Sequence, residues 1–402
     1  DVTGMGADLF ESFVGSLVAA MAIGFTKFGM NGIYFPLTIA AAGIVASIIA
    51  SFVVRGNTMQ KAQAALRNVI ILSSVLVIGA AAGLSWYFFG TFNAFYAATT
   101  GIVAGVLVGV ITEYYTSSKY RPTQQIAEAA QTGAGTNLIE GLAVGMQSVI
   151  LPGLVIVSAL IISVWSAGPY GITLAAVGML ATVAITMAIG TYGAVADNAG
   201  GIAEMAGLPA NVRKRTDTLD TLGNTTAAIG KGFSIAASVF VALALFSQFT
   251  ALANLSTVSM TDSLVIAGLL IGAMVPFLFS SYCMRAVSRA AFVIIEEVRR
   301  QFRTKKILEG KDKPDYGACV DIATRGALRE MIAPGLLAVV TPVLVGFILG
   351  PAALAGMLLG SVASGVLLAL MMANAGGAWT TQRNILKLAS LAAKEVRHTK
   401  PL

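Results

Sequence analysis

The chain has 402 residues, 56% of them hydrophobic and only 11% charged, with a mean hydropathy of +0.82. That balance excludes an ordinary soluble domain and predicts an all-α, polytopic helical membrane protein. The net charge of +7 does not indicate nucleic-acid binding, because the basic residues gather in alternate loops: Arg55, Lys61 and Arg67; Lys119 and Arg121; Arg213, Lys214 and Arg215; Arg299 to Lys313; and the tail after Arg383.

The intervening loops hold Lys27 and almost no other basic residue. By the positive-inside rule the basic loops are cytoplasmic. Apolar runs of about 20 residues, long enough to cross the bilayer as helix, predict ten spans near 9–28, 34–54, 68–89, 93–112, 142–165, 171–196, 218–247, 263–284, 332–349 and 351–373. No linker divides them, so residues 1–379 read as a single transmembrane domain. Cys283 and Cys319 provide no disulfide framework. The chain starts at Asp1 without a signal-peptide pattern and is expected to be a fragment.

The first span opens with Asp1, Asp8 and Glu11, whose spacing places three carboxyls on one helical face. Glu11 falls at membrane depth, where an acid costs ~2.5–3.5 kcal/mol and marks a candidate functional residue. The alternative is an acidic helix start favoured by the macrodipole. Spans two to four mix Gly, Ala and Ser with Ile, Leu and Val, as close helix packing in lipid requires. Trp86 and Tyr87 suit an interfacial belt. Residues 113–121 read as a cytoplasmic turn, followed by a solvated amphipathic stretch.

The densest polar stretch runs from Asp197 to Lys231. Asp197 and Glu204 lie seven apart at the end of one helix, while Asp217, Asp220, Asn224 and Lys231 form a stripe along the next. Two facing rows of carboxylates suit a hard cation such as Mg²⁺, which bridges a few carboxylates to phosphate oxygens. Lys231 would offer an anion a positive contact. The only histidine, His398, lies in the tail, so zinc is not indicated. GNTTAAIGKG lacks the Ser or Thr that ends a Walker motif. A salt-bridge network is the alternative. Further on, Arg285 and Arg289 lead into EEVRRQFRTKK, a basic amphipathic extension facing solvent or headgroups, and KPDYGACVDIATRGALREMIAPG reads as structural.

DVTGMGADLFES, ITEYYTSSKYRP, the segment from DNAGGIAEMAGLP to GNTTAAIGKGF, MRAVSRAA with EEVRRQF, and KPDYGACVDIATRGALREMIAPGLLAV resemble the membrane-bound ion-pumping pyrophosphatases over residues 1–379. The resemblance implies hydrolysis of pyrophosphate with Mg²⁺ in a cytoplasmic funnel, coupled to Na⁺ or H⁺ movement through a gate below, in a homodimer of a prokaryotic inner membrane. It implies that Asp1 positions the attacking water and, with Asp197, holds Mg²⁺. Asp197 and Asn224 would contact Mg²⁺-pyrophosphate, with Lys231 near the substrate and Asp217, Asp220 and Glu204 on the same acidic wall. Asp8 and Glu11 would form the gate. Ala227 stands where potassium-independent members have lysine, implying activation by K⁺.

The family chain has sixteen spans, and these ten correspond to the sixth through the fifteenth, which implies little turnover by this polypeptide alone. After Trp379 the family continues Asp-Asn-Ala-Lys-Lys, whereas Thr380 and the residues to 402 diverge. Residues 380–402 therefore read as a frame-shifted tail. Two rival readings remain: a secondary transporter with Asp8, Glu11 and Lys231 as coupling-ion ligands, though no broken helix or inverted repeat is visible, and a non-catalytic membrane fragment. The nucleotide sequence checks the tail: restoring one G after the Trp379 codon should regenerate the family-like continuation, and codons that forbid it refute the frameshift.

Overall fold

The computed structural model describes residues 2–54, 59–255 and 257–399, and the side chains of 59–63, 210, 214, 221, 222, 224, 225 and 387–399 fall outside that description. Among the described residues there are helices and no strands, as the composition predicts. The chain divides into two compact units, Asp1–Phe249 with Ala369–Leu402, and Thr250–Leu368.

The first unit contains α1 (Val2–Phe28), α2 (Met30–Ser51), α3 (Met59–Phe89), α4 (Asn93–Thr116), α5 (Arg121–Ala130), α6 (Ala134–Gln147), α7 (Ile150–Ala167), α8 (Pro169–Ala181), α9 (Val183–Met205) and α10 (Ala210–Leu252). The second holds α11 (Ser263–Thr304), α12 (Tyr316–Glu330), α13 (Ile332–Leu349) and the start of α14 (Pro351–Thr399), whose end belongs to the first unit. Nine helices among the described residues are long and apolar enough to cross a membrane, or ten if the bent pair α8–α9 is one span. The ten predicted spans correspond to these.

One difference is informative. The predicted span 171–196 is broken at Thr182, where α8 and α9 meet at 46°. No Pro or Gly marks the break. The Thr182 hydroxyl bonds the Met179 carbonyl at 3.3 Å, and Gly43 of α2 packs on the Ala181 carbonyl so closely that a Cβ there would collide with it. Nothing local in the sequence announces the break.

Helices gain little from burying apolar surface against one another in lipid, so they associate where small residues let backbones touch. α8 is almost wholly buried, and Gly101 of α4 and Gly178 of α8 each face the partner helix's backbone with no room for a Cβ. Tyr170 at the head of α8 donates to the Gly32 carbonyl at 3.0 Å. Within the second unit, Gly268 and Gly272 of α11 pack on the Ala353 and Met357 carbonyls of α14, and Gly356 and Gly360 of α14 on the Val265 and Leu269 carbonyls of α11. There α12 is N-capped by Asp315, which accepts from Ala318 N at 3.0 Å, and is joined to α11 by the Arg289–Glu330 ion pair. That pair gives a physical basis for the structural reading of the 313–335 segment.

The contact that matters most for the site is between α9 and α10. A Cβ on Gly193 would lie 2.5 Å from the Gly223 carbonyl oxygen, and one on Gly223 would lie 2.7 Å from Gly193 Cα. Neither backbone atom can yield as a flexible side chain can. Gly193→Ala should therefore cost about 1–3 kcal/mol through overpacking, whereas Gly201→Ala, which meets nothing within 4 Å, should be neutral or slightly stabilising through helix propensity. Thermal melts of the two variants in detergent check this, and equal melting temperatures would contradict it.

Candidate functional site

α9 and α10 run antiparallel with a constant register set by the glycine contact. Gly193 faces Gly223, Gly200 faces Thr216 and Glu204 reaches Arg213. One turn from the Gly193–Gly223 crossing on each helix, the same register brings Asp197 and Asp220 together. Asp220 responds to the field of Asp197 and, more weakly, of Asp217. Sequence spacing put these acids on two stripes, and the crossing turns the stripes face to face.

Arg213 organises the open end of this pair. Its guanidinium contacts Glu204 at 2.6 Å and Asp217 at 2.9 Å, and donates to the Gly200 carbonyl at 3.2 Å. The Asp217 side chain is 9% exposed and that of Glu204 66%, so the arm to Asp217 is the stronger one, exposed pairs being worth little. Read from sequence, Arg213 is only a topology-setting charge. Its four-residue spacing to Asp217 was the available signal.

Asp220 is further held from α14, where Asn384 Nδ2 donates to its carboxylate at 3.0 Å. The first turns after Trp379 thus pack into the unit, with Thr381, Gln382 and Asn384 all buried. Burial pushes the Asp220 carboxyl above its ordinary range and Asp197 adds to the push, while Asn384 and Arg383 pull it down and Asp217 raises it again. Asp220 lies in the polar stretch of α10, before the continuous apolar run that follows Lys231.

Asp8 of α1 accepts a hydrogen bond from Ser234 of α10. Four residues on, Ser12 and Ser238 share a bond of 3.2 Å, and Gln248 donates to the Ala19 carbonyl at 3.0 Å. The two helices are thus parallel and stitched by polar groups along one seam. Ser234 and Ser238 escaped the sequence reading, although their spacing repeats that of Asp8 and Ser12. Glu11 and Lys231 are exposed on their helices and make no ion pair or hydrogen bond to any described residue. Ala227 is half-buried on α10. Asp1 and the side chain of Asn224 lie outside the described residues. Glu113, read as part of a turn, instead ends α4 in a buried position 4.0 Å from Arg67.

Because the folded state retains the Asp220 proton to higher pH than the unfolded chain, stability contributed by this group is present at low pH and lost as pH rises from the ordinary carboxylate range through the raised value. Asp220→Asn should remove that loss. In chelator, its melting temperature should match the parent's in acid and exceed it near neutrality. Parallel melting-versus-pH curves for parent and variant would contradict the assignment.

The family described as Inorganic H+ pyrophosphatase matches residues 1–400. The chain is 45% identical over 397 residues to a Methanosarcina mazei protein named "K(+)-insensitive pyrophosphate-energized proton pump", a match covering 96% of this chain and 59% of that one. It is 37% identical over 432 residues to a Thermotoga maritima protein named "K(+)-stimulated pyrophosphate-energized sodium pump", again covering 96% of this chain and 59% of the relative. The chain thus spans 59% of the length of these relatives.

Proposed function

Since the chain belongs to the inorganic H+ pyrophosphatase family, we propose that its α9–α10 hairpin binds Mg²⁺-pyrophosphate, within an integral membrane machine that couples hydrolysis to Na⁺ or H⁺ movement. The observation that carries this reading is the antiparallel register that sets Asp197 against Asp220. Burial and two neighbouring carboxylates disfavour ionisation of Asp220, and a divalent cation would relieve that cost. Among the described residues, no three Asp, Glu, His or Cys side chains form a closed cage. Such an open arrangement suits Mg²⁺, which takes one or two carboxylates and completes its shell with water and phosphate oxygens. Bound there, Mg²⁺ would neutralise the charge on the phosphates.

The chain's own groups then divide the remaining work. Asp197 and Asp220 orient the ion, Arg213 holds Glu204 and Asp217 at the rim of the acidic wall, and Lys231 approaches the anion from deeper in α10. Asp1 serves to align the attacking water, and Asn224 to contact the substrate. From Asp220 to Ser234 the helix rises roughly 21 Å at 1.5 Å per residue. Substrate wall and gate therefore share one rigid element, and a shift of α10 on binding would change the field and hydrogen bonding at Asp8 and Glu11. An intramembrane acid in changing surroundings takes up or releases a cation. The basic loops face the cytoplasm of a prokaryotic cell, the intact protein is a homodimer, and Ala227 confers K⁺ activation.

A secondary transporter would use a broken helix to bind its ion, and α8–α9 is such a break. The Ala181 carbonyl at that break is covered by Gly43, and the acids lie elsewhere, which favours the hydrolytic reading.

Calorimetric titration of the purified protein with Mg²⁺ and pyrophosphate should show binding that Asp197→Asn weakens about tenfold to a hundredfold, the loss expected for a charged contact. Unchanged binding in the variant would place the substrate elsewhere. Where phosphate release is measurable, Ala227→Lys should abolish its stimulation by K⁺; persistent stimulation would reject the role of Ala227.

A further inference from the structure

The opposite end of the first unit carries a second polar feature. The turns at Gly29, Gly90 and Gly168, each with φ near +60°, enclose a cavity of about 590 Å³. Its walls come from the ends of α1, α3 and α7 and the starts of α2, α4 and α8, and include Lys27, Asn31, Phe88, Asn93, Ser166 and Tyr170. No carboxylate among the described residues lines it. Lys27 is the one basic residue that the sequence assigns to these turns. Its Nζ donates to the Ala167 carbonyl at 3.2 Å and sits 5.3 Å from the Phe28 ring. One of its three donors is engaged and its charge has no acidic partner among the described residues, so the cavity is positive.

Ser166 is also a wall of a groove of about 550 Å³ between α4 and α7. The groove starts at Tyr96 and continues along α4 to Ile111, with Leu151 and Leu154 on the α7 side. It is roughly 22 Å long at 1.5 Å per residue, which exceeds the ~15 Å depth of one leaflet of a 30 Å hydrocarbon core. Tyr96 lies at its polar end, as interfacial tyrosines do. Thr99 lies on the groove too, and its hydroxyl has no hydrogen-bond partner among the described residues. Threonine in a helix occupies two χ1 rotamers, and the second would turn the hydroxyl towards an ester carbonyl.

We infer that cavity and groove together form a binding site for one phospholipid, its phosphate against Lys27 and one acyl chain along the α4–α7 groove. Charge complementarity selects an anionic headgroup, and Ser166, which lines both, sets the two parts side by side. A free anion would use only the cavity, and a second copy of the chain only the groove.

The test is to purify the protein in detergent, add phosphatidylglycerol in mixed micelles and count bound lipid by native mass spectrometry. Lys27→Gln should lower retention about fivefold, the effect of one cationic contact. Val103→Trp, which plugs the groove from an exposed position, should lower it at least as much. Both residues lie far from the acidic wall, so failure here would leave the proposed hydrolytic site untouched. Lipid retained by both variants would overturn the inference. So would inorganic phosphate that displaces phosphatidylglycerol in a Lys27-dependent way while Val103→Trp has no effect, since the cavity would then take a free anion. A dimer in the parent that Val103→Trp dissociates would show the groove covered by a second copy, and would overturn it as well.

Discussion

The backbone contact between Gly193 and Gly223 is the constraint from which the acidic wall follows. Two helices that each carry carboxylates repel one another, and an ordinary side-chain interface would hold them apart. A glycine pair lets the backbones touch, and the dispersion attraction and Cα–H···O bonding at that crossing oppose the repulsion. The crossing also acts as a register pin. With Gly193 against Gly223, Asp197 falls within the field of Asp220 and Glu204 reaches Arg213, while Asp217 meets the same guanidinium from one turn along its own helix.

The unit resolves its charge in two ways. At the open end Arg213 pairs with two acids, and from α14 Asn384 supplies a neutral donor to Asp220. Deeper in the bundle the same helix carries serines, and Ser234 satisfies Asp8 without a countercharge. A neutral donor solvates the carboxylate yet leaves its charge unbalanced. Glu11 and Lys231, without partners among the described residues, add further exposed charge at the same depth.

Small residues recur as the packing device at each level. Gly101 and Gly178 seat α8 in the core, Gly43 packs on the carbonyl beside the break at Thr182, and glycines on each of α11 and α14 rest on carbonyls of the other. Each was visible as composition, since spans rich in Gly, Ala and Ser predict close approach. Which glycine meets which carbonyl was not, because that depends on crossing points between segments far apart in the chain. The break at Thr182 shows the same limit. Hydropathy runs smoothly through it, and Gly43 of α2, which packs against it, lies more than a hundred residues upstream.

The sequence by itself determined the class of the protein, its spans and the side of the bundle on which the acids fall, because hydropathy and a 3.6-residue period are local properties. It also singled out Asp197, Asp220 and Lys231 as a polar stretch between apolar runs, and Asp8 and Glu11 as acids at the head of the first span. Only the tertiary structure decided that Asp197 faces Asp220, that Arg213 bridges Glu204 and Asp217, and that Asp8 is bound by a serine more than two hundred residues away. Those outcomes are set by helix register, and register is fixed by backbone contacts between residues that no local pattern connects.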